Sequence, residues 1–233
     1  MLHMAFITIH PKIIDAYKVF GIFKASESQT IAHITSVNLR DYAADKHGSV
    51  DDSPYGGGDG MVMRPDCLDR ALAATHDSIG RDKETLVIAT SPSGKVWNQG
   101  EAHRLASSGK SFVFICGRFS GIDQRFLDRR VDLEYSLGDV VYAGGELPSL
   151  LIAESILRLI PGVLGHTRSA IDDSFGEGMK GLLEHPVYTR PLEWDGQKVP
   201  DVLLTGDHQA ITRWRNEESL KKTSHHRPDL LNR

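Results

Sequence analysis

Three glycine-bearing stretches of this 233-residue chain directly follow apolar, strand-like runs. A backbone without Cβ atoms can approach a ligand that side chains would hold off. Ser91-Pro92-Ser93-Gly94-Lys95 follows the run 86–90, and Gly117-Arg118-Phe119-Ser120-Gly121-Ile122-Asp123 follows 112–116. Ser136-Leu137-Gly138-Asp139, continuing through Tyr142 to Gly144-Gly145-Glu146-Leu147-Pro148, belongs to the next apolar run. In α/β sheets ligands sit outside the carboxyl ends of strands, so one ligand clasped between neighbouring loops accounts for the trio; three ordinary turns are the alternative. A denser cluster, Gly56-Gly57-Gly58-Asp59-Gly60 behind Pro54-Tyr55, lacks the Lys-Ser/Thr ending of a phosphate loop and the spacing of a dinucleotide fingerprint. Two charged features stand apart. Arg158 lies in an otherwise apolar segment, where a guanidinium is costly to bury without a partner; a snorkelling side chain or a structural ion pair is the plainer reading. Asp172 and Asp173 are adjacent acids whose ordinary duty is to cap a helix.

The elements that must position these residues follow from periodicity. Short β-rich runs at 5–9, 31–39, 86–90 and 112–116 alternate with segments of helical period such as 67–79, the signature of an α/β domain with a largely parallel sheet. A further strand is expected over 135–142, broken at Ala143-Gly144-Gly145. The segment 147–160 has the apolar density of a helix packed on several sides, with Pro148 in its first turn and Pro161 after its end. These boundaries predict a first domain at 1–161, a polar, glycine-bearing linker at 162–175, and a small, mostly helical second domain at 176–233 that includes an amphipathic segment at 207–220.

Composition narrows the class. With 40% hydrophobic and 25% charged residues the chain has the make-up of an ordinary globular protein, and the two cysteines, Cys67 and Cys116, suit buried reduced thiols in a cytoplasmic setting. No export signal or membrane span is indicated, since the most apolar stretch is interrupted by Glu154 and Arg158. The net charge of −4 does not advertise nucleic acid, but the last twenty-odd residues gather Arg213, Arg215, Lys221, Lys222, Arg227 and Arg233 against Glu217, Glu218 and Asp229. That basic face could meet phosphates, or simply be a solvated helix face.

The blocks DDSPYGGGDGM, SPSGK, CGRFSGID, YSLGD, GGELP, RLIPGVLG, DDSF, HPVYTRP, VPDVLLTGDH and HHRPDLL occur in the order seen in the bacterial tRNA (guanine-N1)-methyltransferases, a branch of the SPOUT superfamily. The chain resembles that family from Phe6 to Leu231. The resemblance implies a deep trefoil knot in the α/β domain near 86–148, which periodicity could not reveal. It implies S-adenosyl-L-methionine (SAM) as methyl donor, held largely by backbone groups at Thr90, Ser91, Pro92 and Gly94, at Gly117, Phe119, Ser120 and Gly121, and at Leu137, Gly138, Tyr142, Gly144, Gly145 and Pro148, with Mg²⁺ as the candidate accessory ion and no metal ligands assigned. The implied substrate is tRNA carrying guanosine at position 37, bound by the C-terminal domain, with His225, His226 and Arg227 near phosphates.

Guanine N1 carries a proton that must leave as the new bond forms, and the family's base corresponds to Asp173. Charge then develops on O6, where the family's arginine corresponds to Arg158. The resemblance also implies a homodimer with a composite site, Asp173 of one chain serving the donor bound to the other. The chain departs from the family at Phe119 and Ser120, where tyrosine and glutamate are common, at Val140 for an aromatic, at Asp59 for a proline, and in ending soon after Leu231. Those departures frame the alternative, a catalytically idle RNA-binding homologue. A SPOUT enzyme acting on ribose or rRNA, without the Asp173 base, is the rival of the same class.

Overall fold

The computed structural model describes residues 1–80, 83–165 and 171–232, and the chain forms two compact units, Met1–Gly165 and His166–Arg233. In the first unit the order is β1 (Leu2–Thr8), α1 (Pro11–Lys18), α2 (Gly21–Ser28), β2 (Ala32–Asn38), β3 (Asp51–Asp52), β4 (Val62–Met63), α3 (Pro65–Ile79), β5 (Thr85–Val96), α4 (Gln99–Ala106), β6 (Ser111–Ile115), α5 (Gln124–Arg130), β7 (Leu133–Ser136) and α6 (Glu146–Leu157). Five strands pair in the order β2-β1-β6-β5-β7, all parallel, and β3 and β4 form a separate two-residue antiparallel pair. The parallel α/β architecture expected from the alternating runs is therefore the one observed.

Parallel sheets are buried on both faces, and the strand residues divide accordingly. Met4 and Phe6 of β1 and Phe112 and Phe114 of β6 face one core with Ile14 of α1, Phe23 of α2, Leu105 of α4, and Leu150, Ile152 and Ile156 of α6. Ala5, Ile7, Val113 and Ile115 face the other, with Cys67, Leu68 and Ala71 of α3 and Phe126 of α5. The Phe6 and Phe114 rings stack with centroids 4.8 Å apart across the β1–β6 pair. Each such buried aromatic is worth about 2 kcal/mol of hydrophobic stabilisation, so the central strand anchors the unit. Cys67 and Cys116 are buried free thiols, and burial pushes the Cys116 thiol well above its ordinary range.

Two strand boundaries differ from the sequence expectation. β5 does not stop at Thr90: it leaves register with β7 after the Thr90–Tyr135 pair and resumes at Lys95–Tyr135, so 91–94 is a bulge within a strand rather than a loop after one. Gly94 permits this, because a Cβ there would stand 2.5 Å from the Tyr135 backbone. β7 ends at Ser136 instead of reaching Tyr142. Gly138 takes φ +111°, and its N–H donates to the Ser136 hydroxyl at 3.1 Å, closing the strand into a turn.

Tyr135 also links β7 to α4. Its hydroxyl donates to Glu101 Oε2 at 2.6 Å, and the same carboxylate receives Arg104 at 2.7 Å and Lys95 at 2.6 Å. Arg104, Lys95 and Tyr135 together hold the Glu101 carboxyl down at about 2, while burial pushes the Tyr135 hydroxyl up to about 12. A carboxylate depressed in the folded state stabilises above its unfolded value near 4.5 and loses that contribution as pH falls toward 2. Glu101→Gln should therefore cost about 2 kcal/mol at pH 7, discounted for the solvent-exposed Lys95 and Arg104 partners, with the gap to wild type closing in urea unfolding between pH 4 and 2.

The second unit contains a hairpin of β8 (Glu193–Trp194) and β9 (Gln197–Lys198), 3-10 turns at Asp201–Leu204 and Pro228–Asn232, and the helix α7 (His208–His226). Asp207 caps α7, accepting from the Gln209 and Ala210 N–H groups at 3.0 Å. α7 extends beyond the expected 207–220, and its buried positions are Ser219 and Thr223, which bond the Leu183 backbone. Residues 166–170 of the expected linker lie outside the described residues. Among the described residues no helix is long and apolar enough to cross a membrane.

Candidate active site

Beyond the carboxyl ends of β6 and β7, beside the bulge within β5, the chain lines an open cavity of about 350 Å³. β5 supplies Thr90, and its bulge Ser91 and Pro92; the segment after β6 supplies Gly117, Phe119, Ser120 and Gly121; the segment after β7 supplies Leu137, Tyr142, Gly144 and Gly145; and the first turn of α6 supplies Pro148. Of the donor-binding candidates, two are not in the lining. Gly94 serves the close approach to Tyr135, and Gly138 serves the turn that ends β7.

The loops are fixed to one another by backbone contacts that only glycine allows. Gly145 N–H donates to Gly117 O at 2.8 Å, and a Cβ on Gly145 would stand 2.7 Å from Gly117 N and 2.9 Å from the Cys116 Cα. A Cβ on Gly144 would collide with the Arg118 guanidinium. From the other side the Gly56–Gly60 run leads into residues that dock on the same wall: Ser120 N–H donates to Met61 O at 2.8 Å, Met63 N–H to Gly121 O at 2.9 Å, and Asp123 N–H to Met63 O at 3.1 Å. The glycine-dense cluster thus borders the cavity without lining it. Phe119 adopts φ +59° and is half-exposed at the rim, so its ring is presented outward by a strained backbone.

Arg118, in the loop after β6, has a partner that its sequence neighbourhood does not mark. Arg118 Nε reaches Glu146 Oε2 at 2.9 Å, its Nη1 reaches Ala143 O at 3.2 Å, and Thr8 Oγ1 donates to Glu146 Oε1 at 2.6 Å. Glu146 is 1% exposed. Its carboxylate therefore clamps the end of β1, the loop after β6 and the start of α6. The only sequence signal was an acid heading an otherwise apolar helix.

Arg158 is the C-cap of α6, whereas Pro148 in that helix's first turn lines the cavity. At 1.5 Å per residue the two are separated by about 15 Å along the axis, so one chain does not bring Arg158 to its own cavity wall. Asp173 is half-buried in the second unit, in a segment closed by Gly176 N–H to Asp173 O at 2.9 Å and Phe175 N–H to Leu182 O at 2.8 Å.

A nucleoside-bearing donor fits the lining. Thr90 Oγ1 is buried and has no hydrogen-bond partner among the described residues, an unmet donor and acceptor at the wall. The glycine backbone allows close approach, and the apolar remainder, including Leu137 and Val140, suits the faces of a purine.

Residues 2–233 match the family model described as tRNA (Guanine-1)-methyltransferase TrmD. The chain is 44% identical over 228 residues to the tRNA (guanine-N(1)-)-methyltransferase of Staphylococcus haemolyticus, covering 98% of this chain and 90% of that protein. It is 43% identical over 230 residues to the proteins of the same name from Pseudomonas fluorescens and Thermotoga maritima, in each case covering 99% of this chain and 90% of the relative. The three-loop cavity at the ends of parallel strands and a match running the length of the chain lead to one assignment: the chain belongs to the tRNA (guanine-1)-methyltransferase family.

Proposed function

We propose that the protein transfers a methyl group from SAM to N1 of the guanosine at position 37 of tRNA, 3′ to the anticodon, in the cytoplasm. The observation that carries this reading is the glycine-walled cavity with the unpartnered Thr90 hydroxyl, in a chain of this family. When bound, SAM supplies an electrophilic methyl group on a sulfonium. Thr90, Ser91, Pro92, Gly117, Gly121, Leu137, Tyr142, Gly144 and Gly145 would hold it through backbone and hydroxyl groups, and Gly94 and Gly138 act indirectly by shaping the bulge and the turn. Mg²⁺ belongs to the reading as an accessory ion without assigned ligands.

Asp173 accepts the N1 proton of guanine as the new bond forms, and Arg158 holds the charge that gathers on O6. Positioning of the base does the remaining work, since transfer requires an in-line approach. A homodimer completes the site. The axial separation of Arg158 from the cavity in its own chain supports this, as does the exposure of Leu147 and Leu151 on α6 and of Val140 and Val141 before it. The trefoil knot over 86–148 and a tRNA-binding role for the C-terminal unit are parts of the same proposal.

With labelled SAM and tRNA transcripts differing only at position 37, label should enter the guanosine-37 transcript at least a hundredfold faster than its adenosine-37 counterpart. Equal labelling of both would remove the N1-guanine specificity. No labelling of either would select the idle homologue.

A further inference from the structure

The second unit contains a cavity of its own, about 540 Å³, that shares no residue with the methyl-transfer cavity. Residues 185–190 and Leu192, Trp214 and Arg215 of α7, and the aliphatic Val199, Leu203, Leu204 and Ile211 line it. The Trp214 ring lies 6.4 Å from His185 and 6.3 Å from Tyr188, tilted by 55° and 51°, so the three aromatic rings do not cover one another face to face. Tyr188 is 49% exposed. Arg190 and Arg215 line the same cavity, both exposed, and no acid is found among the described residues that line it.

Open aromatic faces next to unopposed guanidinium groups match one ligand chemistry well. A nucleobase stacks on the rings while its phosphate meets the arginines. A purely apolar ligand would leave two cations to be desolvated without compensation, and an acidic peptide would leave the ring faces unused. We propose that this cavity is a stacking site for an unpaired nucleotide of the tRNA substrate, separate from the guanosine that is methylated. This rests on the tRNA substrate proposed above. RNA is recognised mainly where bases are unstacked, and a second anchored base would orient the RNA without touching the reacting atoms.

The test uses the full-length protein with Tyr188→Ala, Tyr188→Phe, Arg190→Gln and Trp214→Phe. Tyr188→Ala should raise the KM for tRNA about tenfold, with kcat at saturating tRNA and the Kd for SAM within twofold of wild type, and Tyr188→Phe should restore the KM. Arg190→Gln should reduce the slope of log affinity against log salt by about one. Titrating tRNA without SAM should quench tryptophan emission in wild type, and the quench should shrink in Trp214→Phe, which retains Trp97 and Trp194. An unchanged KM in Tyr188→Ala, or a joint loss of kcat and SAM binding, would overturn the proposal. So would adenosine monophosphate abolishing the quench at the concentration at which tRNA produces it, since that marks a free-nucleotide site. A quench that depends on Trp214 in a protein showing no methyl transfer would sink the activity reading and leave this one standing.

Discussion

Asp173→Ala is expected to lower kcat about a thousandfold while leaving SAM affinity within a factor of two. Guanine N1 is protonated at neutral pH, so without an acceptor the methyl group must be attacked by a nitrogen whose lone pair is delocalised into the ring. Asp173→Asn keeps the shape and hydrogen-bonding reach but not the basicity, and should be nearly as slow. The turn that carries Asp173 is held by backbone bonds from Gly176 and Phe175 and by the Glu184 N–H to Ser174 Oγ bond at 2.9 Å, so the substitution should not collapse it. Asp172, exposed and adjacent, is the control: Asp172→Ala should retain most activity. Single-turnover rates with SAM affinity measured separately decide the matter. Retention of a tenth of wild-type kcat by Asp173→Ala would remove it as the base.

Glu146→Ala should destabilise the first unit by about 3 kcal/mol, one of the largest single-residue losses expected in this chain. The carboxylate is almost wholly buried and joins Thr8 to Arg118, so its removal leaves a cation with a side chain only 20% exposed without its counter-charge and a hydroxyl without its acceptor. The Arg118 side chain also braces the Ala143 carbonyl, so the wall formed by 143–145 should loosen and SAM affinity fall along with stability. Glu146→Gln preserves an acceptor for Thr8 and should recover part of the loss. Urea unfolding monitored by circular dichroism gives the first quantity and calorimetric titration with SAM the second. A loss below 1 kcal/mol would show that Arg118 relaxes into solvent and that the clamp is not needed.

What the sequence made legible depended on the range of the physics. The runs at 112–116 and 5–9 read as strands because a sheet buried on both faces selects apolar residues at consecutive positions, and that selection acts locally. The places where boundaries failed are those where a neighbour decides. Ser91-Pro92-Ser93-Gly94 has the composition of a turn, yet β7 recaptures the chain at Lys95, because Gly94 can lie against Tyr135. Similarly, 135–142 has strand-like residues, but the Ser136 hydroxyl and the positive φ of Gly138 end it early. α1, α2, α4 and α5, each eight residues or fewer, were not resolved by periodicity, which needs several turns to declare itself.

The candidate site divides the same way. Glycine-bearing stretches pointed to the cavity from local pattern alone, although one of the three is a bulge within β5. The Arg118–Glu146 clamp joins residues 28 apart that meet only once β6 and α6 are in place. Arg158 and Asp173 acquired roles from the resemblance, because a lone arginine at a helix end and one of two adjacent acids carry no local mark of the chemistry they would do. The departures at Phe119 and Ser120 fall at the rim, where the backbone of the loop still makes its contacts to Met61 and Met63.

The glycines around the cavity fall into two thermodynamic kinds. Gly94 and Gly145 make room, and any side chain there meets backbone atoms, so their value is enthalpic and local to the folded state. At Gly56, Gly57 and Gly58 a Cβ would meet nothing within 4 Å, yet φ is +88°, +78° and +118°. Those three supply dihedral range rather than space, at the cost of the extra chain entropy each glycine surrenders on folding. The wall built on β6 is therefore fixed by space, so that a methyl group on Gly145 would meet backbone atoms, whereas at 56–58 the same group would meet only the cost of a left-handed backbone.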